Sequence, residues 1–115
     1  MKILLKFKSV SVTRNGDYYQ IMFSDDLDVE GEPYFMIQRQ FEFPDGGVCS
    51  FESHNEELID TCKAKSLSLT KDMLRIRYGD KENHEVDISY NLQETNFQEL
   101  SSTLKEMIPI TKIDV

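Results

Sequence analysis

Apolar and polar side chains alternate with a period of two over most of the first ninety residues. Leu5 and Phe7 share one parity, whereas the apolar set moves to the other parity at Val10 and Val12. Alternation of this kind is typical of a half-buried β-strand, and a change of phase indicates a bulge or a bend. The pattern therefore predicts that the chain begins with strand and bends near residues 8–9.

Turn signals divide the rest of this pattern into hairpins. Asn15-Gly16 is a strong signal for a two-residue hairpin turn, and Pro44-Asp45-Gly46-Gly47 is typical of a further turn. We expect further strands at residues 18–24, 34–43, 48–53, 65–69, 73–78 and 85–90. Residues 54–61 fit a short helical turn and an irregular excursion equally well.

The hydrophobic period changes from 2 to 3.6 towards the end of the chain. The apolar side chains that follow the new period are Phe97, Leu100, Leu104, Met107 and Ile108. Their spacing predicts an amphipathic helix over about residues 94–108, which Pro109 ends. We therefore predict a single α+β domain over residues 1–115. It combines a mostly antiparallel sheet of about six or seven strands within residues 2–90, one C-terminal helix packed on that sheet, and a short tail at 109–115.

Negative charge is concentrated in one part of the chain, residues 25–60, which we name the acidic segment. It holds eleven acidic residues and one basic residue, a net charge of −10, whereas residues 1–24 carry +3 and residues 61–115 carry −1. Such a field attracts cationic partners and repels nucleic acid and anionic lipid. The candidate partner-binding residues are Asp25, Asp26, Asp28, Glu30 and Glu32.

The first part of the acidic segment resembles the opening of a calcium-binding EF-hand loop. Residues 26–31 match its first positions, but the twelfth position, which needs a bidentate Glu, is Ile37, and the eighth is Pro33. We therefore predict no calcium site there, and interpret the loop as solvated or as a contact for a protein partner.

The two cysteines and two histidines form no recognisable metal or catalytic motif. Their spacings, C-x4-H, H-x7-C and C-x21-H, match none of the tight pairings of structural zinc sites. Neither cysteine stands in a strand-to-helix elbow, and the sequence has no G-x-S-x-G, phosphate-binding glycine loop or H-E-x-x-H motif. We expect a protein without metal, cofactor or catalytic residues.

Two further observations bear on location. No stretch approaches the roughly 20 apolar residues that cross a bilayer, and the short apolar start lacks a signal-peptide cleavage site. We therefore expect a cytoplasmic protein that binds neither membrane nor nucleic acid, with Cys49 and Cys62 as reduced thiols.

Three arginines stand out within the strand pattern. Arg75 and Arg77 alternate on the outer face of one strand, where cross-strand ion pairs with Glu85 and Asp87 are the expected use. The alternative is a basic patch that binds nucleic acid, which the acidic total disfavours; its further members would be Lys6, Lys8, Lys63 and Lys65. Arg39 lies among apolar neighbours on its strand, and we expect it to form an ion pair with an acid of the acidic segment.

Two stretches, YYQIMFSDD at residues 18–26 and YFMIQRQFEF at 34–43, are similar to the immunity protein 10 family of bacterial toxin systems. The block Ile37-Gln38-Arg39 is the distinctive part, and the later strands and the helix follow the same layout. The stretches at 44–47 and 60–65 depart from the family pattern. The resemblance implies a small cytosolic protein that binds and blocks a cognate toxin and performs no chemistry.

Charge and resemblance together predict an immunity protein whose acidic segment binds a basic surface of a toxin. Two alternatives stay open at this point. One is a small ligand-binding protein or enzyme with a pocket between sheet and helix, and the other is a structural module that self-associates through an edge strand. The sequence leaves the oligomeric state and the identity of the toxin open.

Overall fold

Ten strands, one α-helix and one 3-10 turn make up the described part of the chain. The computed structural model describes residues 2–25, 33–41, 48–79, 82–91 and 96–114. In chain order the elements are β1 (Lys2–Lys6), β2 (Ser9–Asn15), β3 (Tyr18–Ser24), β4 (Tyr34–Gln40), β5 (Cys49–Ser53), a 3-10 turn (Glu56–Leu58), β6 (Asp60–Cys62), β7 (Ala64–Leu69), β8 (Met73–Tyr78), β9 (His84–Ser89), α1 (Phe97–Met107) and β10 (Lys112–Ile113).

The strands form two sheets, so the α+β class is confirmed but the prediction of one sheet with six or seven strands is wrong. Sheet A has the order β1-β9-β8-β7-β10, and sheet B has the order β2-β3-β4-β5-β6. The pairs β1–β9 and β7–β10 are parallel, and all other pairs are antiparallel. The additional strands are short ones that periodicity alone does not resolve, such as β6 and β10.

The phase change in the first strand pattern marks the passage of the chain from one sheet to the other. β1 belongs to sheet A and β2 to sheet B, and the bend between them lies at Lys8. The two sheets pack on opposite sides of one hydrophobic core. Strands β1 and β2 therefore present opposite faces to the core, and the apolar positions change parity between them. The predicted bend is confirmed, and its cause is a change of sheet.

Aromatic contacts join the two sheets at the centre of the core. Phe51 of sheet B stacks on Tyr78 of sheet A with ring centroids 4.0 Å apart, and Phe35 meets the same ring edge-on at 6.3 Å. The Tyr78 hydroxyl donates a hydrogen bond of 2.5 Å to the carbonyl of Leu58. Burial, with smaller contributions from the charges of Asp60 and Cys62, raises the pKa of Tyr78, so the phenol stays protonated as a donor.

Helix α1 begins and ends close to the predicted positions. The side chain of Asn96 accepts a hydrogen bond of 3.1 Å from the backbone of Glu99 and caps the first turn. The apolar stripe Leu100, Leu104 and Met107 is fully buried in the core that the two sheets share. The helix packs against β2 and β3 of sheet B, so it completes this core rather than covering one open sheet.

The chain after the helix returns to sheet A instead of forming a free tail. Lys112 and Ile113 pair with Ser68 and Leu69 as strand β10, and the backbone of Asp114 donates to the Leu69 carbonyl at 2.9 Å. Within the described ranges, α1 is too short and too polar to reach across a bilayer, and no other helix does so.

Candidate functional site

The predicted partner-binding residues fall mostly beyond the described residues. Asp26, Asp28, Glu30 and Glu32 lie outside them. Asp25 is described, and its Oδ1 accepts a hydrogen bond of 2.9 Å from the backbone nitrogen of Lys8. The first acid of the group therefore ties the end of β3 to the bend between the two sheets.

The described strands of the acidic segment belong to sheet B. The segment starts directly after β3, contains β4, β5 and the 3-10 turn, and ends at the first residue of β6. Glu56 and Glu57 are exposed in the 3-10 turn, where the side chain of Asn55 accepts a hydrogen bond of 3.1 Å from the Glu57 backbone. A capped turn thus holds two carboxylates towards solvent.

Asp60 and the two histidines make contacts within the fold. Asp60 lies 3.8 Å from the Nε2 of His84, and the His84 ring rests against Tyr78. The Nδ1 of His54 accepts a hydrogen bond of 3.1 Å from the backbone of Tyr34. Both histidines therefore connect neighbouring parts of the fold.

Of the two cysteines and two histidines considered for a zinc site, the fold places the two cysteines opposite each other. Cys49 and Cys62 lie directly opposite each other on β5 and β6, and both are buried thiols. Within the described ranges, no three side chains of His, Cys, Asp or Glu are grouped so that they could hold a metal ion.

Arg39 contacts the C-terminal end of the helix. One of its terminal nitrogens donates a hydrogen bond of 2.6 Å to the carbonyl of Met107, and its guanidinium lies 4.4 Å from the ring centre of Phe41. A cation at a helix C-terminus is stabilised by the free carbonyls there. The described contacts of Arg39 serve the packing of the helix, and the expected ion pair with the acidic segment stays a prediction.

Arg14 is a second link to the helix, and the sequence pattern did not indicate it. Its Nε and one Nη donate to the hydroxyl of Thr103 at 2.9 and 2.7 Å, and its other Nη lies 3.3 Å from Glu106. Thr103 is fully buried. Arg14 stands in β2, 89 residues from Thr103 in sequence, so no local pattern could have revealed the contact.

The outer face of sheet A carries an open groove of about 500 Å³, which we name the basic groove. Seven charged side chains line it, and basic ones are in excess by three. The basic residues are Lys2, Lys65, Arg75, Arg77 and Lys112, and the acidic ones are Glu85 and Asp87. The groove gives this face a positive charge although the chain as a whole carries −8.

Cross-strand ion pairs orient the two arginines of the basic groove. The Nε of Arg75 lies 3.6 Å from Asp87, and the Nε of Arg77 lies 3.5 Å from Glu85, so the predicted pairs are confirmed. Lys2 also lies 3.6 Å from Asp87. Each carboxylate approaches the inner nitrogen of its guanidinium, and more than half of each arginine side chain remains exposed.

The described residues therefore place the basic groove on sheet A and the described acids of the acidic segment along sheet B. Comparisons of the chain with models of known protein families, with curated proteins and with solved structures found no significant match.

Proposed function

We propose that this chain is a non-catalytic immunity protein that acts in the cytoplasm and neutralises a cognate bacterial toxin. Its acidic segment, residues 25–60, would bind a basic surface of the toxin and cover it. The proposal rests on the charge of that segment, and the resemblance of residues 18–26 and 34–43 to the immunity protein 10 family suggests the kind of partner.

The segregation of charge between the two sheets is the observation that carries the proposal. The strands of sheet A hold six basic and two acidic residues. The five described acids of the acidic segment lie in, beside or between strands of sheet B: Asp25, Glu52, Glu56, Glu57 and Asp60. A concentrated negative surface repels itself and costs stability unless a cation offsets it. A basic partner supplies that compensation. Toxins that act on nucleic acid need a basic face to hold phosphates.

Binding to the product of the adjacent gene, measured over a salt series, tests the proposal. We expect a complex whose dissociation constant rises with salt, because screening weakens the attraction between the two surfaces. Asp26→Asn/Asp28→Asn and Glu56→Gln/Glu57→Gln should each weaken binding about three- to tenfold at low salt. Co-expression of the wild-type chain should also restore growth of cells that produce the toxin.

The matched control is Glu82→Gln/Asp114→Asn, which removes two exposed negative charges outside the acidic segment. It should leave the affinity within about twofold of the wild-type value. Failure to form a complex would contradict the proposal. A complex that is indifferent to salt and to both variants of the acidic segment would contradict it as well.

A further inference from the structure

The basic groove has the shape of a channel that runs along strand β7. Its floor is Ser66 and Ser68, whose small side chains point outwards because Leu67 and Leu69 between and beyond them are buried. Arg77 and Arg75 lie directly across from these serines on β8. On the other side, Lys112 of β10 lies across from Ser68.

The dimensions of this channel suit one extended polypeptide. The walls belong to strands two positions apart in the sheet, so their backbones are separated by about 10 Å. Arg75 and Arg77 are alternate residues of one strand, which places them about 7 Å apart along the channel. Alternate side chains of an extended peptide repeat at the same distance, so two carboxylates at positions i and i+2 can face the two arginines.

The two walls differ in chemistry. On the β8 wall, the carboxylates of Asp87 and Glu85 approach the Nε of each arginine and leave the terminal nitrogens for a ligand. On the β10 wall, Ile110 is 51% exposed beside Lys112. Ile110 is one of three large apolar side chains that the described ranges expose to this extent. One wall therefore favours acids and the other accepts an apolar side chain.

We propose that the basic groove binds an extended acidic segment of a protein partner, in which acidic residues alternate with apolar ones. Its acidic side chains contact Arg75 and Arg77, and its apolar side chains contact Ile110. This interface is separate from the acidic segment and does not depend on the proposed function.

A polypeptide fits the groove better than a nucleic acid does. Among the described residues that line the groove there is no aromatic ring, and proteins that bind single strands rely on such rings for base stacking. Exposed Ile110 offers an apolar contact that a peptide side chain can use and a row of phosphates cannot. An alternating peptide carries acids on one side only, the side of the arginines.

Fluorescence anisotropy with synthetic probes tests the proposal. The first probe is a labelled pentapeptide of alternating glutamate and valine, the second has the same composition in two blocks, and the third is a labelled oligothymidylate. We expect the alternating peptide to bind most tightly. Arg75→Gln/Arg77→Gln should weaken its binding about five- to tenfold.

Two further variants separate binding from folding. Lys112→Glu reverses a charge on the opposite wall without touching the arginine–carboxylate pairs, and it should also weaken the alternating peptide. Lys8→Gln/Lys105→Gln removes two exposed positive charges outside the groove and should leave binding unchanged. Equal affinity for both peptides, tighter binding of the oligothymidylate, absence of peptide binding, or insensitivity to the groove variants would each overturn the proposal. Toxin binding is measured separately, so the two proposals fail independently.

Discussion

At the scale of single residues, Tyr78 joins the two sheets and the 3-10 turn. The alternation of its strand predicts that the side chain is buried but does not predict these contacts. Its ring stacks on Phe51 across the two sheets, and its hydroxyl donates to the carbonyl of Leu58 beside the 3-10 turn. Tyr90 makes a comparable bond of 2.5 Å to the carbonyl of Thr70. Burial raises the pKa of both tyrosines, so each phenol is held as a neutral donor.

Tyr78 should therefore make the stability of the fold sensitive to alkaline pH. Unfolding returns the phenol to its ordinary pKa of 10.0, and above that pH the unfolded chain releases a proton that the folded chain retains. The free energy of unfolding should thus be constant near neutral pH and fall as the pH rises above about 10. Urea unfolding at a series of pH values measures this slope.

The same experiment on Tyr78→Phe separates the two contributions of the residue. At neutral pH the variant should lose about 1–3 kcal/mol, because the buried Leu58 carbonyl loses its donor. Its alkaline slope should be shallower than that of the wild type, with Tyr90 and Tyr18, whose pKa values are also raised, contributing to the remainder. An unchanged slope in the variant would show that Tyr78 does not titrate in this way.

At the scale of elements, two arginines of sheet B hold helix α1 at two positions along its length. Arg14 donates to the hydroxyl of Thr103 in the middle of the helix, and Arg39 donates to the carbonyl of Met107 at its end. The buried apolar stripe supplies the driving force for packing, and the two arginines fix how the helix lies on β2 and β3.

A double-mutant cycle tests the contribution of Arg14. Arg14→Met should destabilise the fold by about 1–3 kcal/mol, because the buried Thr103 hydroxyl is then left without its donors. Thr103→Val removes that hydroxyl, so Arg14→Met/Thr103→Val should lose less than the sum of the single changes. Urea unfolding of the four proteins gives the coupling energy, and strict additivity would contradict the contact.

Most of the longer elements were predictable, whereas the short strands β6 and β10 and the assignment of strands to sheets were not. Strand β3 and helix α1 follow clear periods of 2 and 3.6, so their positions could be predicted from spacing alone. The parallel pairing of Lys2 with Glu85 joins residues far apart in sequence, and local spacing holds no information about it. The sequence contains one local indication of two sheets, the change of phase beside Lys8. A bend within a single sheet produces the same change of phase, so the pattern does not distinguish the two.

The same distinction holds for the candidate sites. The acidic segment is contiguous in sequence, so the local charge balance was enough to identify it. The residues of the basic groove, in contrast, are spread along the sequence from Lys2 to Lys112 and meet only in the folded sheet. In sequence each of its basic residues is an ordinary polar position of an alternating strand. Only the strand order brings Arg75, Ser68 and Lys112 side by side.

At the scale of the whole molecule, the balance of charge should influence stability as well as binding. The acidic segment has a net charge of −10, because Arg39 is the single basic residue among its eleven acids. Repulsion between like charges destabilises a compact folded state. Added salt screens this repulsion over distances of about 10 Å. The free energy of unfolding should therefore rise from low salt to about 0.15 M salt.

Variants of the acidic segment should flatten that response. Glu56→Gln/Glu57→Gln should be more stable than the wild type at low salt and should gain less from added salt. Glu82→Gln/Asp114→Asn removes the same charge elsewhere and should change the salt response less. Thermal unfolding at several salt concentrations provides the comparison, and identical responses of the two variants would count against a concentrated field.

The two parallel pairings of sheet A also set an order for folding during synthesis. Each strand of sheet B pairs with its immediate successor, so this sheet can assemble once Cys62 has emerged from the ribosome. Strand β1 is synthesised before the other described strands, and its described partner β9 is complete only when Ser89 has been added. Until then, the apolar side chains Ile3 and Leu5 lack the β9 strand that covers them in the folded protein. Pairing of strands so far apart in sequence is also slow. The interval before β9 emerges is therefore when a nascent chain of this fold is most exposed to aggregation and most dependent on chaperones.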